Sequence, residues 1–109
     1  MIRISACRER LYVRVEGHAG YAEHGRDIVC AAVSALVFNY AAGLERIAGL
    51  QTEVHEDRGS NSITIGIGKS APGEADRINT GRILFDSLML GLGEIRKTNP
   101  KNVIILEGG

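Results

Sequence analysis

Residues 27–49 read DIVCAAVSALVFNYAAGLERIAG, and this stretch decides the fold. Large apolar side chains recur in it at helical spacing, which predicts a helix with an apolar stripe of Val29, Val33, Leu36, Val37, Tyr40, Leu44 and Ile47. Asp27 is expected to cap this helix, because its short carboxylate can accept hydrogen bonds from the unpaired N–H groups of the first turn. Gly49 is expected to end it. The intervening alanines give the helix a smooth surface that can lie close against a sheet or another helix.

Strand patterns occur on both sides of this helix. Residues 2–8 and 10–17 alternate apolar and polar side chains, which predicts a hairpin with one face on the core. Residues 51–58 and 61–67 predict a second hairpin, with its turn at Gly59. Because the strand 51–58 is mostly polar, we expect it at the edge of the sheet.

The remaining elements lie in the C-terminal third. A second helix is predicted from about residue 74 to residue 97, with an apolar stripe of Ile78, Phe85, Leu88, Leu92 and Ile95. Pro100 stops it, since proline disfavours helical backbone at the residue before it. The apolar run from Val103 to Leu106 predicts a strand that is buried on both faces.

Together these patterns predict an α+β fold in a single domain that spans residues 1–109. The expected order is β-β-α-β-β-α-β, with a mostly antiparallel sheet covered by two helices. A chain of 109 residues can bury a core without disulfides or a structural metal.

The composition narrows the classes of function. Thirteen Lys and Arg balance thirteen Asp and Glu, so the formal net charge is zero and the overall field favours neither nucleic acid nor an anionic membrane. The first twenty residues are interrupted by charges and contain no signal-like or membrane-spanning apolar run. Cys7 and Cys30 lie in different contexts that do not suggest a disulfide framework, so we expect a reducing, cytoplasmic location.

The strongest chemical signal is Cys30 near the expected helix start. Unpaired N–H groups there favour a thiolate, which is the nucleophilic form of cysteine. Asp27 acts in the opposite direction, so a nearby cation is needed as well. His18 can supply one, because it follows the second strand and a short glycine-containing loop could place its ring over Cys30.

An acyl-transfer site also needs donors for the developing oxyanion. The backbone N–H groups of Cys30 and Ala31 are candidates at a helix N-terminus. A third group that orients His18 is left open between Asp27, Ser34 and a backbone carbonyl. Asp27 is also a good helix cap, and Ser34 is also a good small packing residue.

Structural explanations exist for the same residues. Most helix cysteines are small buried hydrophobic side chains, and His18 could simply bond a loop carbonyl. His18, His24 and Cys30 could in principle be three metal ligands, but their spacing matches no zinc motif and no fourth ligand is in view, so no metal is expected. His55 lies on the polar strand and is expected at the surface.

Two stretches carry a resemblance to a known family. GHAGY from Gly17 to Tyr21 and GRDIVCAAVS from Gly25 to Ser34 closely resemble the ribosomal-processing cysteine protease family, Prp, also called YsxB-like. The shared features are a His and a Cys twelve positions apart, an Asp three before the Cys and a Ser four after it. The chain length and element order agree over nearly the whole sequence.

The resemblance implies a role for each matching residue. His18 corresponds to the catalytic base and Cys30 to the nucleophile, while Asp27 and Ser34 are supporting positions. It also implies a homodimer without a cofactor that removes a short N-terminal extension from a large-subunit ribosomal protein precursor.

The glycines of the loop 19–26, which contains Gly20, Tyr21 and Gly25, predict a mobile segment, and the resemblance implies that this segment orders on substrate. The alternative is a non-enzymatic ribosome-associated domain, a peptide-binding or assembly factor, in which Cys30 and His18 only pack.

Overall fold

The structure is a computed structural model that describes residues 1–17, 26–68 and 74–108; of Arg26 and Asp27 it describes the backbone alone. The elements follow the predicted order β-β-α-β-β-α-β: β1 (Ile2–Cys7), β2 (Tyr12–Glu16), α1 (Arg26–Arg46), β3 (Thr52–Asp57), β4 (Ser62–Ile67), α2 (Ala75–Thr98) and β5 (Val103–Gly108). The predicted fold class is confirmed.

The strands form one sheet in the order β3-β4-β2-β1-β5. β1 pairs with β5 in parallel, and the other neighbours pair antiparallel. The prediction that the polar strand lies at an edge is confirmed by the position of β3. One face of the sheet is buried under the helices, with Ile4, Val13 and Ile65 fully inaccessible to solvent. Arg14 and Thr64, whose side chains alternate with these, lie on the open face.

The prediction that the strand after α2 is buried on both faces is wrong. β5 lies at an edge of the sheet, and Val103 is 2% exposed whereas Leu106 is 53% exposed. Ile104 and Leu106 pair in register with polar β1 residues on the open face. A continuous apolar run indicates burial on both faces only where helices cover both sides of a sheet, and here they cover one side.

α1 is the central helix of the core. By length and composition alone, Ile28–Arg46, with a mean hydropathy of 1.6, could cross a membrane. Its Val33, Val37 and Leu44 are instead buried in the same cluster as the sheet residues, which identifies α1 as the core helix of this fold. The helix ends at Arg46, three residues before the expected Gly49, and Gly49 has a φ of +70° in the turn that follows.

Glycines at the contact between α1 and α2 allow the two helices to approach each other closely. A Cβ at Gly43 would lie 3.3 Å from Leu84 of α2, and one at Gly91 would lie 2.9 Å from Leu36 of α1. Such positions let the helices pack at short range. The layer is also tied to the first hairpin, since the buried Tyr40 hydroxyl donates a hydrogen bond of 2.8 Å to the Leu11 carbonyl.

Replacement of either of two glycines of α2 by alanine should change the free energy of unfolding in opposite directions. A Cβ at Gly81 would lie 2.7 Å from Leu11 Cδ1 and 3.0 Å from Leu50 Cδ1, both on buried side chains. Overpacking costs about 1–3 kcal/mol, which outweighs the gain of at most about 1 kcal/mol in helix propensity, so Gly81→Ala should lower the free energy of unfolding. Gly93 has nothing within 4 Å of its Cβ position, so Gly93→Ala should raise it. Urea denaturation of both variants measures the difference, and equal signs would contradict the packing described for Gly81.

Candidate active site

The helix that carries Cys30 begins two residues earlier than the sequence predicts, since a cap at Asp27 would make Ile28 its first residue. α1 starts at Arg26, so the backbone of Asp27 is already helical and does not occupy the cap position. The Asp27 side chain lies outside the described residues, and its supporting role therefore stays a prediction. Cys30 is the fifth residue of the helix and begins its second turn.

The earlier start of α1 means that the two candidate oxyanion donors lie inside the hydrogen-bonded helix. In an α-helix each N–H bonds the carbonyl four residues earlier, so Arg26 and Asp27 hold the carbonyls that would pair with the N–H groups of Cys30 and Ala31. A role for these N–H groups in binding an oxyanion requires that the first turn open when a substrate carbonyl arrives. That role stays a prediction.

The Cys30 thiol is held firmly but remains accessible. Cys30 is a free cysteine of intermediate burial that packs against the core cluster. Val29 beside it and Val33 one turn later are buried, so the backbone on both sides of Cys30 is anchored. Cys30 is thus held in place by the core without being fully enclosed by it, an environment that is compatible with a nucleophile.

The second thiol lies at the far end of the first hairpin. Cys7 pairs with Tyr12 at one end of the β1–β2 ladder, while Glu16 pairs with Arg3 at the other end. The chain leaves that other end toward residue 18. Gly17, the last described residue before His18, therefore lies at the end of the hairpin opposite Cys7.

Gly17 fixes the way in which the chain reaches His18. It has a φ of +79°, its N–H donates to the Asn61 carbonyl at 3.0 Å, and a Cβ there would collide with the Met1 carbonyl. Only glycine meets both requirements without strain. His18 itself and the predicted substrate-loop residues Gly20, Tyr21 and Gly25 lie outside the described residues, so the predicted contact between His18 and Cys30 stays a prediction.

Cys30, Ser34 and Phe38 form a row along one flank of α1. They are spaced by four residues, so each lies one turn beyond the last. Leu36 and Gly43, which contact α2, lie ~120–140° around the helix from Cys30, so the row faces away from α2. Ser34 is half-buried and Phe38 is 42% exposed. The helix thus places Ser34 one turn from Cys30, as predicted, while its role stays a prediction.

A pocket of about 180 Å³ lies at the far end of this flank. It is lined by Phe38 and by the β3–β4 hairpin, through Glu56, Asp57, Arg58, Asn61, Ser62 and Ile63. The sequence reasoning missed Phe38, although a signal was present. Phe38 is a large apolar residue outside the buried stripe of its helix, on the same row as the candidate nucleophile.

No cluster of three His, Cys, Asp or Glu side chains that could hold a metal occurs within residues 1–17, 28–68 and 74–108. His18 and His24 of the metal set considered from the sequence lie outside these ranges.

Comparisons with known proteins point to one family. The family model described as cysteine protease Prp matches residues 1–104. The ribosomal processing cysteine protease Prp of Mycoplasma genitalium is 30% identical over 107 residues, which are 98% of this chain and 96% of that protein. Its counterpart in Bacillus subtilis is 40% identical over 60 residues, so that alignment spans 53% of this chain and about half, 54%, of the relative.

Solved structures show the same fold. The crystal structure of Prp from S. aureus in complex with a substrate peptide has a TM-score of 0.81 at 19% identity, over 99% of this chain and 100% of that chain. A second crystal structure of that protein, with a covalently linked product peptide, has a TM-score of 0.75 at 20% identity and the same coverage. Since a family model matches almost the whole sequence, and a relative aligns over nearly its full length, the chain belongs to the Prp family of cysteine proteases.

Proposed function

We propose that this protein is an endopeptidase that removes a short N-terminal extension from the precursor of a large-subunit ribosomal protein. Cys30 is the nucleophile and His18 the general base and acid. The observation that carries the proposal is the position of the Cys30 thiol, anchored by the core and partly exposed at the start of the second helical turn. The relatives named as ribosomal processing proteases support the choice of substrate.

The first half of the reaction forms an acyl-enzyme. The Cys30 sulfur attacks the peptide carbonyl carbon, and the electron pair of the carbonyl moves to oxygen. When the carbon–nitrogen bond breaks, the His18 imidazolium gives its proton to the departing amine. The N-terminal extension then remains on Cys30 as a thioester, and the mature protein leaves with a new N-terminus.

The second half releases the extension. His18, now neutral, takes a proton from water, and the resulting hydroxide attacks the thioester carbonyl. The carbon–sulfur bond breaks, and the thiolate is restored beside the imidazolium. The crystal structure of the S. aureus protein with a covalently linked product peptide supports a covalent route of this kind for the present chain.

The predicted loop 19–26 and the cellular location belong to the same proposal. Closure of the loop over a bound peptide would exclude water and align His18 with Cys30. The protein acts in the cytoplasm, because its nucleophile must stay reduced and a ribosomal precursor is made there.

We further propose that the protein works as a homodimer that joins through its helix layer. Ile47, Ile83 and Leu90 are each 69% exposed, and a groove of about 250 Å³ runs between α1 and α2. Large apolar side chains exposed on one layer of a small domain are typical of a protein interface.

The Leu90→Asp change tests the dimer proposal. A charge placed in an apolar interface should weaken dimerisation by at least about tenfold, because a buried unpaired carboxylate is costly. Light scattering coupled to size exclusion measures the mass, with Leu106→Asp on the open face of the sheet as the matched control. A monomeric unmodified chain at micromolar concentration, or an unchanged dimer in Leu90→Asp, would contradict the interface.

The cleavage activity can be tested with a peptide that spans the extension and the mature start of the ribosomal protein. The unmodified chain should cut one bond, and Cys30→Ala should abolish the cut because it removes the thiol that forms the acyl-enzyme. His18→Ala should lower kcat/KM by about 10²–10⁴-fold. Mass spectrometry identifies the products, and Cys7→Ala, which leaves the proposed site intact, should cut at the normal rate. Tight binding without cleavage by all variants would instead favour the non-enzymatic peptide-binding domain.

Thiol alkylation gives an independent test that needs no substrate. An imidazolium near Cys30 stabilises its thiolate, so iodoacetamide near neutral pH should modify Cys30 at least about tenfold faster than Cys7. The His18→Ala change should remove that advantage, while His55→Ala, on the edge strand β3, should leave it unchanged. Peptide mapping by mass spectrometry assigns the rates. Equal rates at the two cysteines would overturn the pairing of His18 with Cys30.

A further inference from the structure

We infer that the pocket beside Phe38 is a subsite that receives one apolar side chain of the substrate, three or four residues away from the cleaved bond. The inference rests on the proposed function, because it takes Cys30 as the point of attack. It adds a determinant of specificity at a distance from the residues that carry out the chemistry.

The distance follows from helix geometry. Phe38 lies eight residues after Cys30 on the same flank of α1, which corresponds to ~12 Å along the helix axis. An extended peptide advances ~3.3 Å per residue, so a peptide running along this flank from Cys30 brings its third or fourth residue to Phe38. Ser34 lies between the two ends of this path.

The lining of the pocket suits an apolar group. Phe38 forms one wall, and Ile63, which is 4% exposed, belongs to the buried surface beneath. A volume of about 180 Å³ is sufficient for one large side chain, since a cavity of ~150 Å³ lined by apolar groups accepts a benzene molecule. Phe38 is 42% exposed here, and covering it with an apolar side chain would remove that surface from water.

The pocket also lies next to the element that leads to His18. Asn61 lines the pocket, and its carbonyl accepts the hydrogen bond from the Gly17 N–H at 3.0 Å. Gly17 directly precedes His18 in the chain. The pocket is therefore bounded by the helix that carries the nucleophile and by the hairpin that holds the strand end before the base, as a subsite of the same cleft would be.

The rim of the pocket sets a charge preference. Glu56 and Asp57 contribute two carboxylates against one guanidinium from Arg58, and all three residues are exposed. The Gly59 N–H donates to Asp57 Oδ1 at 2.9 Å and, with Ser60, holds the pKa of Asp57 below its usual value, so that carboxylate stays charged at neutral pH. A net negative rim disfavours an acidic substrate side chain at this position.

A larger cavity of about 440 Å³ on the open face does not compete for the same peptide. It is lined by residues such as Tyr12, His55 and Thr64. Arg14, in register with Thr64, and the rest of that face point away from the helices. A peptide that reaches Cys30 on α1 meets the Phe38 pocket on the same side of the sheet.

The test compares substrate peptides that carry Leu, Ala or Asp in turn at each of the five positions on either side of the cleaved bond. With the unmodified chain, one position at three or four residues from the bond should prefer Leu over Ala by roughly tenfold in kcat/KM and reject Asp further. Phe38→Ala should remove the preference for Leu at that position alone. Leu106→Ala, at an exposed apolar residue on the open face of the sheet, is the matched control and should leave the profile unchanged.

The charge of the rim gives a second readout that does not involve Phe38. Glu56→Lys, on an exposed strand position, should relieve the rejection of Asp at the same substrate position and leave the other positions unaltered. If the Phe38→Ala variant fails to fold, the Glu56→Lys variant alone tests whether the pocket is a substrate subsite. An unchanged profile in a folded Phe38→Ala or in Glu56→Lys would overturn the subsite while Cys30-dependent cleavage persists. No cleavage by the unmodified chain would overturn the proposed protease function itself.

Discussion

The burial of one face of α1 against the sheet and α2 is the contact on which the rest of the structure depends. Val33, Val37 and Leu44 occupy the centre of the core, and the glycines at the α1–α2 contact bring the second helix close. This packing leaves only the flank away from α2 accessible along most of the helix. Cys30 lies at the border between that flank and the core, so its sulfur is fixed by the same contacts that stabilise the fold.

A second constraint acts where the hairpins meet. Gly17 must take a positive φ, must donate to Asn61 and must pass close to the Met1 carbonyl. These requirements connect the end of β2 to the β3–β4 turn, so the two hairpins set the point from which the chain departs toward His18. Cys30 and Gly17, the last described residue before His18, are thus held by separate elements, a core helix and a strand end.

The sequence predicted the helices and strands because each has a clear hydrophobic periodicity. It was less accurate where burial depends on which other elements pack against a segment. The helical and alternating patterns identified α1, α2 and both hairpins, and Gly49 marked the turn after α1 through its backbone freedom. The burial of β5 was mispredicted, because an apolar run does not reveal whether a second face is covered. The helix start differed by two residues, since an acidic residue is favourable both at the cap and in the first turn. Cys30 and Ser34 were placed correctly relative to each other, while Phe38 was missed because its significance depends on the hairpin beside it.

The position of Phe38 shows how one helix can separate reaction from recognition. Changes on the buried face of α1 alter packing and hence stability, whereas changes on the flank alter what a bound peptide meets. Because the helix is rigid, Cys30 and Phe38 keep a fixed separation of ~12 Å whatever sequence occupies the cleft. A protease built in this way selects peptides in which one apolar side chain lies at a set number of residues from the cleaved bond. It can therefore distinguish a short extension with that side chain at the right spacing from other exposed protein termini, even if the groups at the bond itself are unselective.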